Sequence, residues 1–122
     1  MRWNKTAAIN YINVRAGSDT KHQCATYTRE AIEAGGIRLD RTKYAKDYGP
    51  ILERAGFSKV WPGQTIIAGD VIVIQASTTS VAGHMAMFNG SIWVSDFRQH
   101  SDVYPGPGYR KAKPAYQIYR ML

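Results

Sequence analysis

Cys24 is the only cysteine in this chain of 122 residues, and it lies within Thr20-Lys21-His22-Gln23-Cys24-Ala25-Thr26-Tyr27. The stretch reads as the first turn of a helix that runs through Arg29, Glu30, Ala31 and Ile32 to a stop at Gly35-Gly36. Thr20 and Gln23 have the spacing of a capping box, in which hydroxyl and amide satisfy the free N–H groups of the first turn. A thiol at a helix start meets the positive end of the macrodipole and exposed backbone donors. Both lower its pKa and favour the thiolate, the nucleophilic form. A lone cysteine is more often inert packing. The helix start, a histidine on an expected strand and an acid on the next strand favour the nucleophile reading.

Acyl transfer by a thiol needs a base beside the sulfur and a third group that holds the imidazole in the useful tautomer. His84 is the expected base, opening the apolar run Gly83-His84-Met85-Ala86-Met87-Phe88. His22 is two residues from Cys24, a step that points away on a helix, and His100 falls in a polar loop. The expected orienting group is Asp96, in Trp93-Val94-Ser95-Asp96-Phe97. Strand register decides whether it serves. A three-residue bulged turn at Asn89-Gly90 pairs His84 with Asp96 and gathers Ala86, Phe88, Ile92 and Val94 on one face. A two-residue turn sets Ser95 opposite His84 instead. The Cys24 N–H is the expected oxyanion donor, and the sequence names no second one. One cysteine and three histidines give no zinc spacing, so neither metal nor cofactor is expected.

Around these residues the chain divides simply. Asn4 is placed to cap a first helix with Ala7, Ala8, Tyr11, Ile12 and Val14 at helical spacing. In the Cys24 helix, Cys24, Tyr27, Thr28 and Ala31 share a face with Ile32 beside them, while Arg29, Glu30 and Glu33 point elsewhere. Residues 37–48 are polar and irregular, and Pro50 opens a short helix to Ala55. Val71-Ile72-Val73-Ile74 is apolar on both faces and reads as a central buried strand. Strands follow at His84–Phe88, Ile92–Phe97 and Ala115–Tyr119, with a Pro/Gly loop at Tyr104–Gly108. Helices followed by an antiparallel meander predict one α+β domain spanning residues 1–122.

The composition is that of a globular chain, with 44% hydrophobic and 20% charged residues. No apolar run reaches the length of a membrane span, and the first residues carry no secretory pattern. The formal charge of +7 suits nucleic acid, an acidic membrane surface or an anionic wall polymer. No nucleic-acid-binding signature accompanies the scattered basic residues, so no nucleic-acid partner is expected.

Cys24 opening a helix, Ala68-Gly69-Asp70-Val71 entering a strand, Gly83-His84 on the next and Ser95-Asp96 on the third resemble the papain-like peptidoglycan hydrolases of the CHAP and NlpC type. Within that group, the run Cys24-Ala25-Thr26-Tyr27-Thr28-Arg29-Glu30-Ala31 and the Trp93–Phe97 segment are similar to the amidase effectors of type VI secretion. The resemblance covers nearly the whole chain. It implies a papain-like fold, with N-terminal helices packed on an antiparallel sheet, and cleavage of an amide bond in peptidoglycan stems or cross-links. It implies Cys24 as nucleophile, His84 as base and then acid, and Asp96 as orienter. It also implies a cognate immunity protein, and secretion from the cytoplasm to the periplasm or wall of a target bacterium. Many CHAP enzymes carry Glu or Asn at the third position. The competing readings are a phage-lysis or bacteriocin hydrolase of the same chemistry, an acyltransferase or transglutaminase-like enzyme, and a catalytically silent wall- or nucleic-acid-binding module.

Overall fold

The computed structural model describes residues 3–18, 23–78, 80–99 and 102–121. Thr20, His22 and His100 therefore lie outside the described residues. The Asn4 side chain accepts the Ala7 N–H at 3.0 Å and starts α1 (Lys5–Arg15), as its residue type predicts. Ala8 and Ile12, one turn apart, are fully buried. Val14 was expected on the same face and is exposed, because two residues of helix rotate it away from Ile12.

The second helix, α2 (Cys24–Ala34), buries Tyr27, Thr28, Ala31 and Ile32 as expected. It starts at Cys24 itself, and Gln23, its N-cap, makes no side-chain cap bond. The expected role of Gln23 in a capping box is thereby corrected. Arg29 is buried too, against expectation, and is compensated by Glu33 one turn on at 2.8 Å. Gly35-Gly36 ends the helix, with Gly36 in the left-handed region at φ 96°. The Gly35 carbonyl accepts the Asn4 N–H at 2.8 Å, which ties the end of α2 to the start of α1.

Residues 37–48 are less solvated than their polarity predicts. Ile37, Leu39, Ala45 and Tyr48 enter the core around a 3₁₀ turn at Ala45–Asp47. Pro50 lies in the first turn of α3 (Gly49–Ala55), and the left-handed Gly56 ends it.

Six strands follow: β1 (Ser58–Lys59), β2 (Val71–Ile74), β3 (His84–Phe88), β4 (Trp93–Val94), β5 (Arg98–Gln99) and β6 (Tyr116–Arg120). They form one antiparallel sheet in the order β1-β6-β2-β3-β4-β5. With the helices this is the expected α+β architecture. All four residues of β2 are buried, as its two apolar faces require. Val71, Val73, Met85, Met87 and Val94 join the core that holds Ala8, Ile12, Ala31 and Ile32 of the two N-terminal helices. On the opposite face Ile72, Ile74, Ala86 and Trp93 are covered by Ile66 and by Val103, Tyr104 and Tyr109. The last of these lies on a short helix, α4 (Pro107–Ala112), beginning inside what reads as a Pro/Gly loop. No helix among the described residues is long and apolar enough to cross a membrane.

The β3–β4 register differs from both expected alternatives. Phe88 pairs with Trp93 and Met87 with Val94. The cause is the Asn89 side chain, whose oxygen accepts the N–H groups of Ser91 and Ile92 at 2.9 Å each and builds a longer turn. Cross-strand partners share a face. Trp93 therefore stacks on Phe88 with ring centroids 5.2 Å apart, while Val94 goes with Met87 to the helix side. The expected strand Ile92–Phe97 is also shorter. It stops at Val94, Ser95-Asp96-Phe97 turns the chain, and β5 returns beside β4.

Candidate active site

His84 is launched by the glycine before it. Gly83 adopts φ 72°, and a Cβ there would run into the Ile74 carbonyl oxygen and the Lys46 side chain. Only glycine allows the chain to turn into β3 at this point. The side chains of His84, Ala86 and Phe88 alternate onto the face away from α2. Trp93 and Gln99 share that face through the Phe88–Trp93 and Trp93–Gln99 pairings.

This register selects the histidine's partner. His84 Nε2 lies 2.8 Å from Gln99 Oε1, and the Gln99 amide nitrogen donates to the Val103 carbonyl at 3.4 Å. An amide fixed in that sense presents its oxygen to the ring, so His84 donates from Nε2 and keeps Nδ1 as a free acceptor. That is the tautomer a general base requires. Asp96, the residue expected to orient the ring, is near enough for its charge to act on His84 and also binds elsewhere. Its Oδ2 accepts the Gln23 N–H at 3.1 Å and its Oδ1 accepts the Ser95 hydroxyl at 3.1 Å. The carboxylate is thus an anionic cap at the start of α2, fully buried, and acts on the other two groups through its field. Asp96 is close enough to raise the pKa of both Cys24 and His84.

The sequence contains one clue to Gln99. Ser-Asp is a turn dipeptide, and reading Ser95-Asp96 as a turn would have set a second short strand beside Trp93-Val94.

Cys24 is the first residue of α2, packed against β3. The N–H groups of Met85, Ala25 and Cys24 itself reach its sulfur and favour the thiolate. Burial opposes them and is the larger effect, with the Asp96 charge adding to it, and the thiol is pushed up to about 11. The expected lowering by the helix start is therefore overturned, because desolvation of the anion outweighs the dipole and its donors. Burial also pushes His84 below its ordinary value, against the opposing effects of Gln99 and Asp96. Both shifts favour the neutral forms, thiol and imidazole. One consequence is measurable. Alkylation of Cys24 should be slow at neutral pH and climb steadily into the alkaline range, whereas a preformed thiolate–imidazolium pair would give a plateau from about pH 5 to 8.

The structure thus brings Cys24, His84 and Asp96 to one end of the sheet and adds Gln99, which the sequence reading omitted. Phe97 and Tyr109 complete the surroundings of the imidazole, their ring centroids 6.2 and 6.1 Å from it. Among the described residues no three His, Cys, Asp or Glu side chains group as metal ligands.

No protein-family model matches the sequence, and no curated protein matches it significantly. Solved structures do. A chain in the crystal structure of the type VI native effector–immunity complex Tae3–Tai3 from Ralstonia pickettii is 48% identical, with a TM-score of 0.93 over 97% of this chain and 98% of that one. A chain in the selenomethionine form of the same complex is 50% identical, with a TM-score of 0.89 over 93% of this chain and 98% of that one. Identity at this level across nearly the full length of both chains shows that the protein belongs to the type VI effector–immunity family of Tae3–Tai3.

Proposed function

We propose that the chain is the effector member of such a pair, a papain-like cysteine amidase or endopeptidase that hydrolyses an amide bond in peptidoglycan stems or cross-links. One observation carries the reading. The sole thiol opens a helix with its sulfur on the Met85 N–H, adjacent in the chain to a histidine whose Nε2 is held by Gln99. An immunity partner needs a complementary surface and has no use for a thiol held on the backbone next to such a histidine. The formal charge of +7 suits an anionic wall polymer.

In this mechanism Cys24 Sγ attacks the amide carbonyl carbon while His84 Nδ1 takes the thiol proton. The proton transfer and the attack occur together, because the thiolate is too costly in isolation at this buried site. The Cys24 N–H faces the developing oxyanion. His84 then delivers the proton to the departing amine, leaving a thioester, and next removes a proton from the water that releases the acid. Asp96 stabilises the transient imidazolium by its charge, and Gln99 holds the ring. Gln99→Ala should lower turnover by about 10- to 100-fold, because the tautomer is no longer fixed. In steady-state assays that loss should fall on kcat.

By this reading the enzyme acts in the periplasm or wall of a target bacterium after secretion, and the producing cell carries a protein that covers the cleft. Digestion of purified sacculi tests the activity, with fragments resolved by chromatography and mass spectrometry. Amide-cleaved fragments support the effector reading and name the bond. Intact sacculi across several wall chemistries, from folded protein, would overturn it.

A further inference from the structure

His84 is held on three sides. Gln99 binds Nε2, and the rings of Phe97 and Tyr109 lie against the imidazole, both inclined at 57° to it. The three restraints have different footings. Gln99 belongs to β5, and Phe97 to the turn before it, where its carbonyl accepts the Ser95 N–H at 2.9 Å and it bridges to Gly17. Gln99 is part of the sheet, and Phe97 adjoins its last strand. Tyr109 belongs to α4, a six-residue helix with no buried residue. Its side chain reaches back across the cleft, its phenol joined to the Ser80 side chain and within the electrostatic reach of Cys24.

We propose that Tyr109 is a positioning residue, the outer jaw of a clamp that holds the His84 ring and shields it and Cys24 from solvent. The proposal rests on Cys24 and His84 being the reacting pair. With Tyr109 in place His84 is only 6% exposed. Around α4, Tyr104 donates its hydroxyl to the Pro114 carbonyl at 2.9 Å, and Arg110 reaches the Tyr104 carbonyl at 3.4 Å. Gln99 and Phe97 belong to other elements than α4, so removing the Tyr109 ring leaves the imidazole its bond to Gln99. The ring does the clamping, and the hydroxyl latches it to Ser80. Among the described residues the charged group that acts on His84 is Asp96, and it stays in place when the Tyr109 ring is removed.

Two variants separate ring from hydroxyl. Because Cys24 is the only thiol, iodoacetamide modification read by mass spectrometry reports this site alone. His84 titration is followed by imidazole proton NMR, with His84→Gln identifying its signal. Tyr109→Ala should alkylate about tenfold faster than wild type at pH 7, with the His84 midpoint rising towards about 6.5 as water enters. Tyr109→Phe keeps the ring, so its His84 midpoint should stay with wild type and its alkylation within about threefold. If the Ala variant fails to fold by circular dichroism, Tyr109→Leu takes its place and should move both readouts in the same direction. An Ala or Leu variant with wild-type alkylation and titration would falsify the clamp, as would a Phe variant that behaves like Ala. Neither readout uses peptidoglycan. Sacculi left intact by the wild-type protein sink the hydrolase reading, whereas unchanged alkylation in the variants sinks the clamp.

Discussion

Replacing Cys24 with alanine is expected to reduce peptidoglycan cleavage by about 10⁴-fold or more, to the level of buffer, while leaving the protein folded. On the proposed mechanism the acyl intermediate forms on the Cys24 sulfur, and the chain holds no second cysteine to replace it. Cys24 lies at the margin of the core, where loss of one sulfur atom costs little packing, so the thermal midpoint should stay within about 5 °C. Cys24→Ser should be almost as inactive, because an alcohol beside a weakly basic imidazole is a far poorer nucleophile than a thiol. The measurement is release of stem-peptide fragments from sacculi. A folded Cys24→Ala protein that still releases them would remove Cys24 from the mechanism.

The largest effect on stability is expected at Asp70. This carboxylate is fully buried and receives Arg120 through two bonds, Nε to Oδ1 and one terminal nitrogen to Oδ2, each at 2.8 Å. Its Oδ2 also accepts the Ile67 N–H at 3.0 Å, closing the turn into β2. Arg120 ends β6, so the pair fastens the central strand to its neighbour. Asp70→Ala strands a largely buried guanidinium and opens the turn, which should cost about 3–5 kcal/mol. For a domain of this size that lowers the melting temperature by about 10–20 °C. Thermal denaturation followed by circular dichroism reads it directly. The Asp70→Ala/Arg120→Met double variant should recover part of the loss, because it removes the uncompensated charge. A single variant that melts with wild type would show the bond to be dispensable.

The same Asp70 shows what could be read from sequence and what could not. Ala68-Gly69-Asp70 was legible as a turn, and Val71–Ile74 as the central strand, because both depend on local chemistry. The Arg120 partner is 50 residues away and left no local trace. Asn4, Gly35-Gly36, Cys24 at a helix start and the strand His84–Phe88 were likewise legible. The orienting residue was not. It depended on a register that the Asn89 side chain resets, which moves Val94 to the helix side and brings Gln99 to His84. The protonation of Cys24 was hidden for another reason. A helix start argues for a thiolate, but burial is a property of the assembled fold and reverses the sign. Tyr109 was concealed by its neighbours, since Pro105-Gly106-Pro107-Gly108 reads as loop although a helix begins at Pro107.

The raised pKa of the single, partly buried thiol also bears on how the molecule withstands oxidants. Peroxides attack thiolates, and at neutral pH only about one part in ten thousand of a thiol titrating near 11 is ionised. With no second cysteine, no internal disulfide can form, so the covalent structure is the same in a reducing cytoplasm and an oxidising envelope. An effector on the proposed secretion route would therefore carry its thiol between redox environments with no internal disulfide to make or break.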